Sequence, residues 1–219
     1  MGGVIVNRMQ TLVLTEVEQD KTLGRVEEII RRGGIMAMPT DTVYGLICDA
    51  RNEDAVRSMF AMKQRPDEKV FPIFVKDVAM ARQYAYISDA KAGFLEKVWP
   101  GPVTAVFQHK EKLPAFLTGG KDTIGIRMPD NEFILELFAR LGSPLAQTSA
   151  NISGEPAAKN ADEVKKYFAS TSRGPDLLID GGQTPGTSST VVDCTGVSPL
   201  ILRTGPVSKA DLDRMLKDA

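Results

Sequence analysis

An α/β domain in one compact unit is the fold class this sequence predicts, and three observations carry the prediction. Helical and extended patterns alternate along the whole chain, which points to layers of helix on sheet rather than a bundle or a sandwich. No repeat and no linker divides the 219 residues, a length that suits one large domain or two small ones and is ample for a single core. With 42% hydrophobic and 25% charged residues and a mean hydropathy of -0.13, the composition is globular. No apolar run approaches the ~18 residues of a spanning helix.

Each element has a local reason. Thr11 to Leu14 reads as a short strand. From Lys21 to Arg32 the apolar residues Leu23, Val26, Ile29 and Ile30 recur at helical spacing, basic residues close the last turn, and Gly33-Gly34 stops the helix. Ile35 to Met38 is an apolar run too short for a helix, and Pro39 to Gly45 reads as the loop after it, because proline and glycine break a ladder. Asn52 or Asp54 caps a helix carrying Val56, Met59, Phe60 and Met62, which runs out at Lys63 to Pro66. Phe71 to Val75 is the next strand, followed by helices near Val78 to Tyr84 and Ala90 to Val98 and a break at Trp99-Pro-Gly-Pro102. Strands are expected at Val103 to Gln108, Thr123 to Met128 and Pro144 to Thr148, with a helix at Glu132 to Leu141. Asn160 and Glu163 have capping-box spacing for a helix to about Ala169. Leu177 to Ile179, Val191-Val192 and Leu200 to Leu202 are strands, and Ser208 opens a last helix. The Gly181 to Thr187 stretch is a loop, mobile by expectation, since glycine and proline interrupt regular structure.

Lysine and arginine number 27 against 28 acids, so no long-range field draws the molecule onto nucleic acid or an anionic membrane, and any polyanion must be met locally. Cys48 and Cys194 lack a C-x-x-C partner, and with the single His109 they make no four-ligand zinc site unless acids join them. Buried reduced thiols in a cytoplasmic protein are the expectation. Residues 1–8 lack the apolar core of a secretory signal and read as an N-terminal extension or tag-like segment, leaving 9–219 as the domain.

Chemistry concentrates in strand-end loops that share hydroxyls, glycine and proline: Pro39 to Gly45, Lys63 to Pro66, Thr123 to Pro129, Thr148 to Gly154, and Ser188 to Asp193 with Arg203 to Pro206 beyond. Ligands of open α/β sheets bind at such loops. Hydroxyls and amides hold anionic oxygens, and Lys63, Arg65, Arg127 and Arg203 supply charge-assisted contacts, so the chemistry suggested is oxyanion handling. Familiar signatures fail. Ala115 stands where a phosphate loop ending in Gly120-Lys121 needs its first glycine, no G-x-G-x-x-G or H-E-x-x-H occurs, and Gly186-Thr-Ser-Ser-Thr190 lacks the closing glycine of a nucleophile elbow. Taken singly, Pro39 to Thr42 reads as an Asx-type turn, Lys63 and Arg65 as a solvated helix end, Ser149 and Asn151 as loop hydrogen-bonders, and His109 as a strand-end residue. Arg127, inside the apolar pattern Ile124-Gly-Ile-Arg-Met128, resists this treatment: a guanidinium there needs an anionic partner or a water-filled cleft.

As an ordered set, Pro39-Thr-Asp-Thr-Val-Tyr-Gly-Leu46, Lys63-Gln-Arg-Pro66, Trp99-Pro-Gly-Pro-Val-Thr104, Gly125-Ile-Arg-Met-Pro129, Ser149-Ala-Asn-Ile-Ser-Gly154, Ser189-Thr-Val-Val-Asp193 and Arg203-Thr-Gly-Pro206 resemble the YrdC/Sua5 family from about Met9 to the end. The resemblance implies a twisted mixed sheet of about seven strands with flanking helices and an open concave groove. It implies a threonylcarbamoyl-AMP synthase that joins L-threonine, bicarbonate and ATP, with Mg²⁺, releases pyrophosphate and feeds the threonylcarbamoyl modification of adenosine 37 in tRNA. By the same resemblance Lys63 and Arg65 are catalytic and bind ATP with Thr123, Ser149, Asn151 and Arg203, and no protein metal ligand is implied. Thr40, Tyr44, Arg127 and Ser189 bind threonine, with Arg127 on the carboxylate. Lys69-Val-Phe-Pro-Ile-Phe74 departs from the proline and leucine of many relatives, and the C-terminus matches the short YrdC type. Two alternatives remain: a paralogue that binds double-stranded RNA or tRNA without synthesis, and a carbamoyl-adenylate enzyme like a domain of hydrogenase-maturation proteins. A downstream transferase complex is the implied protein partner, and no membrane is.

Overall fold

The computed structural model describes residues 9–64, 70–169 and 171–217; the extension expected at residues 1–8 lies outside them, as does Arg65. One mixed sheet of ten strands organises the chain, not the expected seven. In chain order its strands are β1 (Gln10–Val13), β2 (Met36–Pro39), β3 (Tyr44–Asp49), β4 (Ile73–Phe74), β5 (Val103–Gln108), β6 (Thr123–Arg127), β7 (Leu145–Ser149), β8 (Leu177–Asp180), β9 (Thr190–Asp193) and β10 (Leu200–Arg203). Their spatial order is β1-β8-β2-β3-β7-β4-β6-β5-β9-β10. Four pairs are parallel (β1 with β8, β8 with β2, β4 with β6, β5 with β9) and the other five antiparallel.

Among the described residues eight α-helices accompany the strands: α1 (Gln19–Arg31), α2 (Glu53–Met62), α3 (Val78–Tyr84), α4 (Asp89–Val98), α5 (Ala115–Thr118), α6 (Glu132–Leu141), α7 (Ala161–Phe168) and, after the last strand, α8 (Lys209–Lys217). Side chains cap several of them: Asn52 accepts from the Ala55 amide, Asn131 from Ile134 and Asn160 from Glu163, each satisfying an otherwise orphaned first-turn donor. Helix α1 packs on α6, α2 on β3 and α5, α4 on α8, and α7 on β8. Val26, Ile30, Leu46, Ile47, Phe74, Phe107 and Leu137 belong to the core they close. Both cysteines are buried, and burial pushes their thiols up, that of Cys194 to about 12.

Two elements differ from expectation. Residues 44–49, assigned in part to a loop, form β3, and β2 runs into Pro39 itself. The proline is tolerated because β8 pairs with β2 only through Met36 and Ala37, so by Pro39 one side of the strand has no ladder awaiting a donor. Helix α5 occupies the supposed loop before Gly119-Gly120, and Gly119, at φ 57, is its left-handed cap. The strands at 103–108 and the helix at 132–141 stand as read.

Candidate functional site

Across the middle of the sheet lies a cavity of about 270 Å³. Its floor comes from alternate residues of neighbouring strands, which by the period of two all point to one face. Thr123 and Ser149 lie on one row, Pro72, Val106, Gly125 and Gln147 on the next, and Thr104, Arg127 and Val191 on a third. Gly125 keeps the floor open: a Cβ there would stand 3.1 Å from both Pro72 Cβ and Thr104 Cγ2 and would fit only if they gave way. Ser188, Ser189 and Arg203 complete the far wall, and Thr42 and Val43 the near one. Gly205 lets the β10 end approach, since a Cβ there would be 2.3 Å from the Ser188 carbonyl oxygen.

Arg127 has both of the things its sequence context demanded. Its Nη2 pairs with Asp41 Oδ1, Nη1 donates to Thr42 Oγ1 at 3.1 Å, and Nε donates to the Gly101 carbonyl at 2.9 Å. The side chain is 2% exposed, yet it borders the cavity. Burial lowers its affinity for the proton; the Asp41 charge opposes that, and the nearby Arg203 charge adds to it. Partial desolvation lowers Arg203 as well, although that residue stays exposed to solvent. Two guanidinium groups facing one space without enough negative charge between them form a place for an anion. Arg203 is anchored through Nε and Nη2 to the Ser189 carbonyl, and Ser189 Oγ bonds Thr104 Oγ1 at 2.9 Å.

Of the residues singled out in the sequence, Thr123, Arg127, Ser149, Ser189 and Arg203 line the cavity. Thr40, Tyr44, Lys63 and Asn151 stand behind it as its frame. Thr40 Oγ1 donates to the Val43 carbonyl (2.7 Å) and accepts from the Thr42 and Val43 amides; the turn is built on the threonine, which frees Asp41 for Arg127. The buried Lys63 ammonium donates to the Ser149 carbonyl (2.6 Å), the Asn151 carbonyl (2.9 Å) and Asn151 Oδ1 (2.7 Å). These bonds staple the end of α2 to the Ser149 turn. Ser149 Oγ also donates to Asn151 Oδ1. Tyr44 donates to the Gly182 carbonyl and accepts from the Gly181 amide; burial raises its phenol to about 12. With the Gly186 amide on the Thr42 carbonyl and Thr184 on the Lys159 carbonyl, the segment expected to be mobile is tied down at several points.

Asp41, Thr42, Thr104, Gln147 and Ser188 were not singled out as site residues. The requirement for an anion beside Arg127 was the signal that leads to Asp41. Strand alternation from Arg127 and Gly125, once β5 is set beside β6 and β7 one strand further on across β4, leads to Gln147 and Thr104.

The sequence matches the Sua5–YciO–YrdC family, described as telomere recombination, over residues 28–205. A threonylcarbamoyl-AMP synthase of Pyrococcus abyssi is 37% identical over 189 residues, 85% of this chain and 55% of that protein. Among solved structures, P. abyssi Sua5 complexed with L-threonine superposes with a TM-score of 0.85 at 34% identity, over 94% of this chain and 60% of that one. E. coli YciO gives 0.80 at 26%, over 91% and 96%. The chain thus spans little more than half the length of the curated P. abyssi relative.

Proposed function

The chain belongs to the Sua5–YciO–YrdC family, and from that premise we propose that it is a threonylcarbamoyl-AMP synthase. The reaction is L-threonine plus bicarbonate plus ATP to threonylcarbamoyl-adenylate, pyrophosphate and water. One observation carries the reading: residues from four separate stretches, Thr123 with Arg127, Ser149, Ser189 and Arg203, converge on one cavity whose donors suit carboxylate and phosphate oxygens. A relative of the same fold is a structure complexed with L-threonine.

In this reading Arg127, held rigid on three sides, takes the threonine carboxylate, with Thr42 and Ser189 hydroxyls beside it. Arg203, Thr123 and Ser149 face the nucleotide. Lys63 contributes its charge and keeps the Ser149 to Asn151 turn in place, and Arg65 carries the second charge of the K-x-R pair. Threonine condenses with bicarbonate to its N-carbamate and releases water; a carbamate oxygen then attacks the α-phosphorus, the bond to the bridging oxygen of pyrophosphate breaks, and the protein's part is positioning and charge neutralisation. Mg²⁺ would come with the triphosphate and would neutralise charge on its oxygens, and no protein ligand is assigned to it in this reading. The product suits an enzyme that transfers threonylcarbamoyl to a tRNA adenosine, and a cytoplasmic place of work goes with that reading. Among the described residues no helix is long and apolar enough to cross a membrane.

Pyrophosphate release from MgATP tests the proposal. Release that requires both L-threonine and bicarbonate, and falls with serine, is expected; release without either, or none at all, would refute it.

A further inference from the structure

Gln147 lies on the middle row of the cavity floor, and no role has been given to it. It is partly buried on β7, lines the cavity, and among the described residues none hydrogen-bonds its carboxamide. Around it the floor is Val70, Pro72, Gly125 and Val106, none of which offers a side-chain polar group. Neither polar atom of the carboxamide is among the buried unsatisfied ones, so Oε1 and Nε2 stay open to water, and a ligand that excludes that water must offer both a donor and an acceptor in its place. Sheet register fixes where such a ligand lies. Ser149 is two residues along β7, about 7 Å away by strand rise, on the row with Thr123; Arg127 and Thr104 occupy the row on the other side.

We propose that Gln147 holds the carbamate group of the reacting threonine. The inference rests on the synthase reading, in which the nucleotide side carries Ser149 and Thr123 and the amino-acid side carries Arg127. The carbamate is the unit that joins the two, so it belongs over the row between them. It also matches the carboxamide chemically. A carbamate, –NH–COO⁻, presents one N–H donor beside an anionic oxygen; Gln147 presents Oε1 to accept from the first and Nε2–H to donate to the second. The paired contact aims the remaining carbamate oxygen toward the Ser149 side, where the α-phosphorus stands in this reading. Bicarbonate can use the same donor and acceptor before it condenses with the amine.

Steady-state pyrophosphate release by Gln147→Leu and Gln147→Glu, with each substrate varied in turn, tests this assignment. Leucine keeps the bulk and removes both hydrogen bonds; glutamate keeps the acceptor and sets a negative charge against the carbamate. Gln147→Leu is expected to lower kcat/KM for bicarbonate about 10- to 100-fold, as for hydrogen bonds to a charged group. The KM for ATP and the threonine Kd measured without bicarbonate should stay within about twofold, and Gln147→Glu should lose more. An unchanged bicarbonate dependence, or a loss confined to ATP or shared equally by all three substrates, would overturn the assignment and leave the synthase reading standing. Wild-type protein without release dependent on threonine and bicarbonate would refute the synthase reading and this one with it.

Discussion

Two hollows in this molecule invite opposite treatment of their arginines. The larger, about 720 Å³, lies beside α1 and the chain before β8, and is bordered by Arg25, Arg32 and Arg173. Its arginines are surface side chains: Arg25 and Arg32 are 47% and 63% exposed, and both lean on Glu28, at 3.6 and 3.5 Å. Such pairs contribute on the order of 0 to 1 kcal/mol and move freely. The smaller hollow over the sheet has an Arg127 that is 2% exposed and fixed by Asp41, Thr42 and Gly101. Size does not mark the functional place; a cation that has already lost its water and its freedom does, because binding an anion there costs little further ordering.

The strongest way to break this contrast is Arg127→Ala. It removes the fixed guanidinium and leaves Asp41 buried without its partner, so kcat/KM for threonine should fall about 10³-fold and stability by roughly 3 kcal/mol. Chemical denaturation and steady-state kinetics would separate the two losses. Asp41→Asn keeps the arginine but loosens it; a fall of about 10²-fold is expected, chiefly in kcat/KM for threonine, with an increase in threonine Kd visible by calorimetry.

Tyr44 sharpens the account of the frame. Its phenol titrates at about 12 in the folded protein against about 10 in an unfolded chain. The folded form therefore keeps a proton that the unfolded form has lost. Its contribution is complete below pH 10 and drains away as pH rises through 12, by roughly 3 kcal/mol. Denaturation midpoints taken from pH 9 to pH 11.5 should decline in wild type with this slope, and Tyr44→Phe should flatten it. At the small end, Arg32→Ala combined with Arg173→Ala in the larger hollow should leave synthase kinetics within about twofold and stability within about 0.5 kcal/mol. A tenfold loss there would dissolve the contrast.

How much of this was legible follows the range of the forces involved. Local rules sufficed for β5, α6 and the capping of α7, where period, caps and breakers agree. They failed at β3, whose consecutive buried residues Leu46, Ile47 and Cys48 carry no alternation because the strand is covered on both faces. The need of Arg127 for an anion could be read locally, whereas the identity of that anion could not: Asp41 is 86 positions away. The ordered motifs pointed to Lys63 and Asn151, but only the fold reveals that the lysine spends its hydrogen bonds on the turn that carries Ser149. Gln147 has no motif at all, and its place depends on register among β7, β4 and β6.

The central claim is that the smaller hollow joins threonine, bicarbonate and ATP, and the most direct test follows the carbon of bicarbonate. Protein incubated with MgATP, L-threonine and ¹³C-bicarbonate should yield an adenylate whose mass carries both threonine and the labelled carbon, and Arg127→Ala should yield almost none. Unlabelled product, or ATP consumed with no such adenylate, would contradict the account.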